Sequence, residues 1–254
     1  MNHSTEFFVG WAGAVPSATR RFLVRVCAAT LVVALCVATA AALLQLETRA
    51  GVFQFGTTRS FAGWIERRPY PLLVVPRPGA EGTHSRYLLS AFGKHGADAL
   101  FEEHADGWFE LEGTLVYRDG RTMVEVATGS VRPVPPPIGL APPPQESTSQ
   151  GRVTLRGEIV DSKCFLGVMK PGNAASHRAC AIRCISGGVP PVLLVRDDAG
   201  LAHYHLLVDT NGGAVNGRVL DVVALPVEIT GDLERIGDLS ILRADPDTYR
   251  VLSP

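Results

Sequence analysis

The sequence lacks the short signatures of the common enzyme classes. It contains no G-x-S-x-G elbow, no H-E-x-x-H pair and no phosphate-binding P-loop. C-x-x-C is missing, and with it the activated thiol pair of thiol oxidoreductases. C-x-x-C-H is missing as well, which disfavours covalent c-type haem. There is no excess of basic charge: 24 Lys and Arg stand against 25 Asp and Glu, for a net charge of -1. A nucleic-acid binder needs a dense basic face to release counterions, so the balance argues against that class. Aromatic residues are scarce at 7%, too few for the stacking platform of a single-strand binder. Glycine (26) and proline (18) are plentiful among the 254 residues, which suits short strands and turns better than a helical bundle.

One long apolar run is present. Val26 to Leu46 reads VCAATLVVALCVATAAALLQL, without a charge, and as a helix it spans about 30 Å, the thickness of a bilayer's hydrocarbon core. Arg20, Arg21 and Arg25 precede it. The positive-inside tendency therefore predicts a cytoplasmic segment 1–25, a single-pass anchor over 26–46 and export of the remainder. The rival reading is a cleaved signal peptide, for which Ala38-Thr39-Ala40 has the small-residue pattern. Cys27 and Cys36 lie in this run and read as small apolar residues in lipid.

The exported part has two halves, 51–131 and 151–254, joined by a proline-rich stretch over 132–150 that reads as a semi-rigid spacer. Each half shows the same order of short, β-branched runs bounded by Gly, Pro and Asp. In the first half these are 59–67, 69–75 and 86–92, then a short helical stretch over 97–104, then 108–118 and 122–131. In the second they are 152–160, 189–195, 203–209, 225–234 and 239–245. Five strands with a short helix before the fourth is the order of an OB-type barrel. The expected fold is mainly β: an N-terminal transmembrane helix followed by two tandem OB-like barrels, the second carrying a helical Cys/His insertion.

That insertion holds the densest chemistry. A helix starting near Asn173 or Ser176 and ending at Gly187-Gly188 puts His177, Cys180 and Cys184 on one face, and Cys164 can fold back over it. Three readings stay open at this point. Cys164, His177, Cys180 and Cys184 are candidate ligands for zinc or another thiophilic metal. An oxidising compartment equally favours a disulfide from Cys164 to Cys180 or Cys184. The residues also suit plain packing in a small core. His203 and His205 alternate along one strand and, with Met169, are candidates for a copper or haem site, against the plainer reading of half-exposed strand histidines. Lys94-His95-Gly96 and Glu102-Glu103-His104 offer charged groups for acid–base work, but fit a solvated surface better.

Asp161, Cys164, Phe165, Leu166 and Gly167, followed by His177, Cys180, Ala181, Cys184, Gly187, Gly188 and Pro190, form a pattern D-x-x-C-[YF]-L-G … H-x-x-C-A-x-x-C-x-x-G-G-x-P. Over residues 153–245 it resembles a group of exported bacterial proteins with an OB-like barrel. The resemblance implies a bacterial, exported setting and brings no activity with it. The architecture is also similar to that of the haem chaperone of cytochrome c maturation, an inner-membrane anchor with a periplasmic barrel. That family's haem-linking His lies near the barrel's C-terminal end, whereas no His follows His205 here. The reading drawn from anchor, barrels and missing catalytic set is a non-enzymatic accessory or assembly subunit of an inner-membrane complex, electron transfer being one such setting. Its partners would be the membrane and membrane proteins, with the barrels in the periplasm. The alternative is a metal- or haem-handling module built on the Cys/His cluster.

Overall fold

A computed structural model describes residues 15–46, 51–76, 84–143, 147–198 and 200–252. Residues 1–14 of the expected cytoplasmic segment and 144–146 of the proline-rich stretch lie outside the described residues, as do 47–50 after the anchor. The chain divides into two units, Met1–Arg49 and Ala50–Pro254.

Among its described residues, the first unit holds one helix, α1 (Ser17–Leu46). Its portion Ser17–Leu43 is long and apolar enough to cross a membrane. The helix starts before the expected anchor, so Arg20, Arg21 and Arg25 lie in its first turns rather than ahead of it. Alanine, leucine and the arginines are all good helix formers, and no Gly or Pro interrupts them.

The second unit contains two closed five-strand barrels. The first is built from β1 (Arg59–Glu66), β2 (Leu72–Pro76), β3 (His84–Ala91), β4 (Gly107–Arg118) and β5 (Arg121–Val126). Antiparallel pairs join β1 to β2 and β4, β2 to β3, and β4 to β5, and a parallel pair of β3 with β5 closes the ring. The second barrel repeats this plan with β6 (Thr148–Asp161), β7 (Pro191–Arg196), β8 (Ala202–Val208), β9 (Pro226–Ile236) and β10 (Leu239–Arg243). Here β8 and β10 form the parallel pair. The registers match as well: Leu88 faces Met123 and Leu89 faces Val124 in one barrel, as Leu206 faces Ile241 and Leu207 faces Leu242 in the other. The internal repeat read from the sequence is therefore a repeat of topology.

Local chemistry accounts for the turns. Asp119 and Gly120 both take positive φ (48° and 74°), the conformation a two-residue β4–β5 hairpin needs to match strand twist. Two boundaries differ from expectation. The helical stretch expected over 97–104 is a 3-10 turn, Asp98–Leu100, followed by a further turn. Strand β6 begins at Thr148, inside the stretch read as spacer.

The two barrels are not held apart. The centres of strands β2, β3 and β5 and of their counterparts β7, β8 and β10 are apolar on both faces. Leu73, Leu89 and Val124 fill the first barrel, and Leu193, Leu207 and Leu242 fill the second. Their neighbours Leu72, Leu88, Met123, Val192, Leu206 and Ile241 point the other way, into one shared apolar layer between the barrels. Side chains alternate along a strand, so a continuous apolar run requires burial on both sides. Tyr70 pins the layer: its hydroxyl donates to Leu207 O at 3.1 Å and accepts from Val215 N at 3.0 Å. The proline-rich stretch thus connects two barrels that are already in contact, which corrects the expectation of a separating spacer.

Candidate functional site

Strand β6 ends at Asp161, and the chain then makes a wide π-helical turn, Cys164–Val168, that starts the insertion. Asp161 Oδ1 accepts from Cys164 N at 2.7 Å, which fixes where the turn begins. The next residue, Phe165, anchors the turn in the shared layer, with its ring 5.3 Å from Tyr204 and under the Arg118 guanidinium at 4.3 Å. A 3-10 turn, Ala175–His177, leads into α2 (Arg178–Ser186). The helix ends as the Gly-Gly pair predicts. Gly188 takes φ 98°, Gly188 N bonds to Ile185 O at 2.9 Å, and Val189 N bonds to Cys184 O at 3.0 Å. This 5→2 and 6→1 pairing is a Schellman cap.

Turn and helix bring three sulfurs together. Cys164 Sγ lies 3.9 Å from Cys180 Sγ and 3.9 Å from Cys184 Sγ, and the three atoms form one group of potential metal ligands. Cys164 and Cys184 are buried and Cys180 is half-buried, and all three are free cysteines. Three sulfurs about 2.3 Å from a common centre stand about 3.8 Å apart at a tetrahedral ion and about 4.0 Å apart in a trigonal plane. The observed separations fall between these values, whereas a disulfide would require about 2.05 Å.

His177 belongs to a second group, with Asp161 and Cys164. Its Nε2 meets Asp161 Oδ2 at 3.1 Å, and both side chains are buried. The sequence pattern placed His177 on one face with Cys180 and Cys184. In the structure it engages Asp161, and Cys164 is the residue common to both groups.

The sulfurs share protons unequally. Hydrogen bonding to Cys184, then burial, then the nearby Asp161 carboxylate push the Cys164 thiol up. The same hydrogen bond from Cys164 pulls Cys184 down, and the Lys94 ammonium adds to that effect. Within this pair Cys184 is therefore the sulfur readier to be a thiolate, the form that binds metals. Lys94 itself is held up, chiefly by its hydrogen bond to Cys180.

The other candidates are placed elsewhere. His203 is exposed and meets Asp197 Oδ2 at 3.0 Å, and His205 Nδ1 meets Ser240 Oγ at 2.9 Å. Neither joins a potential ligand group among the described residues. Met169 is exposed. Glu102 and Glu103 are exposed and His104 packs edge-on against Phe109, as a surface turn would. Two residues named in the sequence take roles that local pattern did not assign. Asp161, the first residue of the D-x-x-C pattern, caps the turn that carries Cys164. Lys94, read as a surface charge, reaches the sulfurs from the other barrel.

No family model and no curated protein matches the chain.

Proposed function

We propose that this protein is a membrane-tethered module that binds one thiophilic metal ion through Cys164, Cys180 and Cys184. The observation that carries this reading is the convergence of two sulfurs, each 3.9 Å from that of Cys164, on a turn and helix fixed by Asp161 and the Gly187-Gly188 cap. Three sulfurs favour soft or borderline cations such as Cu(I) or Zn(II) over hard ones. The His177–Asp161 pair supports Cys164 from behind, as outer-shell partners do at metal sites. The bound ion would supply a folding clamp or a transferable cargo. The rest of the chain presents it near a membrane.

The repeated strand order with a parallel third and fifth strand supports an OB-like identity for both barrels. Arg20, Arg21 and Arg25 at the start of α1 favour a cytoplasmic N-terminus, with the barrels on the outer, periplasmic side of a bacterial inner membrane. An accessory role in an inner-membrane complex rests on anchor and barrels alone. It ranks second, because any tethered barrel pair would meet it.

The full chain, purified in detergent under reducing conditions without chelator and titrated with Cd(II), should bind about one equivalent. A sulfur-to-metal charge-transfer band should accompany binding and be lost in Cys164→Ser and Cys184→Ser. An absence of metal uptake by the reduced chain would sink the proposal.

A further inference from the structure

The sulfur site already has a cation at its edge, and the other barrel supplies it. Lys94 Nζ lies 2.7 Å from Cys180 Sγ and 4.0 Å from Cys184 Sγ. The side chain is exposed, while two of the three sulfurs are buried. The ammonium therefore stands on the solvent side of the cluster, next to its half-buried member.

The loop that carries Lys94 is pinned in place. Lys163, buried beside Cys164, donates to Ala91 O and Gly93 O at 2.7 Å each. Gly96 N donates to Gly187 O at 2.8 Å. Gly187 approaches so closely that an added Cβ would lie 2.0 Å from Lys94 O. The root of the Lys94 side chain is thus fixed on the cap of α2, while the side chain itself is exposed to solvent.

The residue type matters too. The chain uses three lysines against twenty-one arginines. Of the three, Lys94 contacts the sulfurs, Lys163 holds the loop that carries it, and Lys170 is exposed. Arginine is a rigid planar fork that grips two acceptors at once. Lysine is a compact charge on a flexible stem, suited to a contact that must be released.

We infer that Lys94 is a displaceable counter-cation: it occupies the edge of the sulfur site before loading, and an arriving metal ion expels it. This rests on the metal-site reading above. Two cations cannot share the same sulfur lone pairs at a few ångströms without strong repulsion. A soft cation that gains metal–sulfur bonds can displace an ammonium. A hard cation, which binds thiolate poorly, cannot, so the lysine also filters for thiophilic cations.

The test is amine footprinting of the full chain in detergent, with and without one equivalent of Cd(II), read by mass spectrometry. Lys170 serves as the exposed control and Lys163 as the buried one. In the metal-free chain Lys94 should label more slowly than Lys170. On loading its rate should rise by about fivefold, the scale of one released surface ion contact, while the two controls stay constant. Metal uptake with no change at Lys94 overturns the inference and leaves the metal site standing. Equal labelling of Lys94 and Lys170 before metal overturns it as well. No uptake of Cd(II) overturns the metal-site reading and this inference with it. Ca(II) in place of Cd(II) should leave Lys94 labelling unchanged, and release by Ca(II) would contradict the filtering role.

Discussion

Asp161 and His177 meet through Oδ2 and Nε2 at 3.1 Å, with the carboxylate fully buried and the imidazole 4% exposed. The other oxygen of the same carboxylate holds Cys164 N. One side chain therefore ties the turn that carries Cys164 to the residue that opens α2. A carboxylate removed from water persists only when its lone pairs are used in this way.

Asp161→Ala leaves a buried ring nitrogen and a buried backbone N–H without their acceptor. It should destabilise the chain by about 3 kcal/mol, seen as a lower urea midpoint in detergent. Asp161→Asn keeps the shape and one acceptor, and should lie between wild type and Ala. A loss below about 0.5 kcal/mol for the alanine variant would show the pair to be idle.

Lys163 is 1% exposed and ion-pairs with Glu125 across the barrel contact. Lys163→Met strands a half-buried carboxylate and two carbonyls, with an expected cost of about 3–5 kcal/mol. The double variant Lys163→Met, Glu125→Gln removes the stranded charge and should recover part of that loss. Additive losses in the double-mutant cycle would refute coupling across the barrels.

Gly187→Ala places a methyl group against Lys94 O and should cost about 1–3 kcal/mol by prising the Lys94 loop off the α2 cap. Gly217 has open space around it, so Gly217→Ala should change stability by less than about 0.5 kcal/mol. Thermal unfolding of the two variants side by side measures the difference. Equal effects would mean that the close approach is not tight.

His205 is lowered from 6.5 to about 4, first by burial and then by the neighbouring charges of His203 and Arg121. A depressed histidine favours the neutral form in the fold. Its contribution is complete above pH 6.5, where both folded and unfolded chains carry it neutral. As pH falls from 6.5 towards 4 the unfolded chain takes up a proton that the folded chain resists, and stability drops. His205→Asn should flatten the stability–pH curve across that window. An unchanged slope would assign the acid sensitivity to other groups.

Much of the secondary structure was legible along the chain, because its causes are local. The uncharged run around 26–46 reads as a membrane-length helix, Asp119-Gly120 as a hairpin turn, and Gly187-Gly188 as a helix stop. The repeated strand order was equally visible. The apolar runs PLLVV and VLLV also held a message that went unread. Strands without alternation are buried on both faces, and here the second face is the other barrel. The 3-10 turn in place of a longer helix at Asp98–Leu100 shows the usual weakness of short polar segments, whose conformation is set by what they pack against.

By itself, the sequence determined the helix, the strand order in both halves and the nearness of Cys180 to Cys184, since these depend on residues a few positions apart. Only the tertiary structure decided that His177 pairs with Asp161 beside Cys164, that the barrels share a core, and that Lys94 reaches Cys180 from 86 positions away. The physical reason is the same in each case. Periodicity reports which face of an element a side chain takes, whereas a partner on another element is chosen by packing and by where buried charge can be matched, and no stretch of local pattern records that choice.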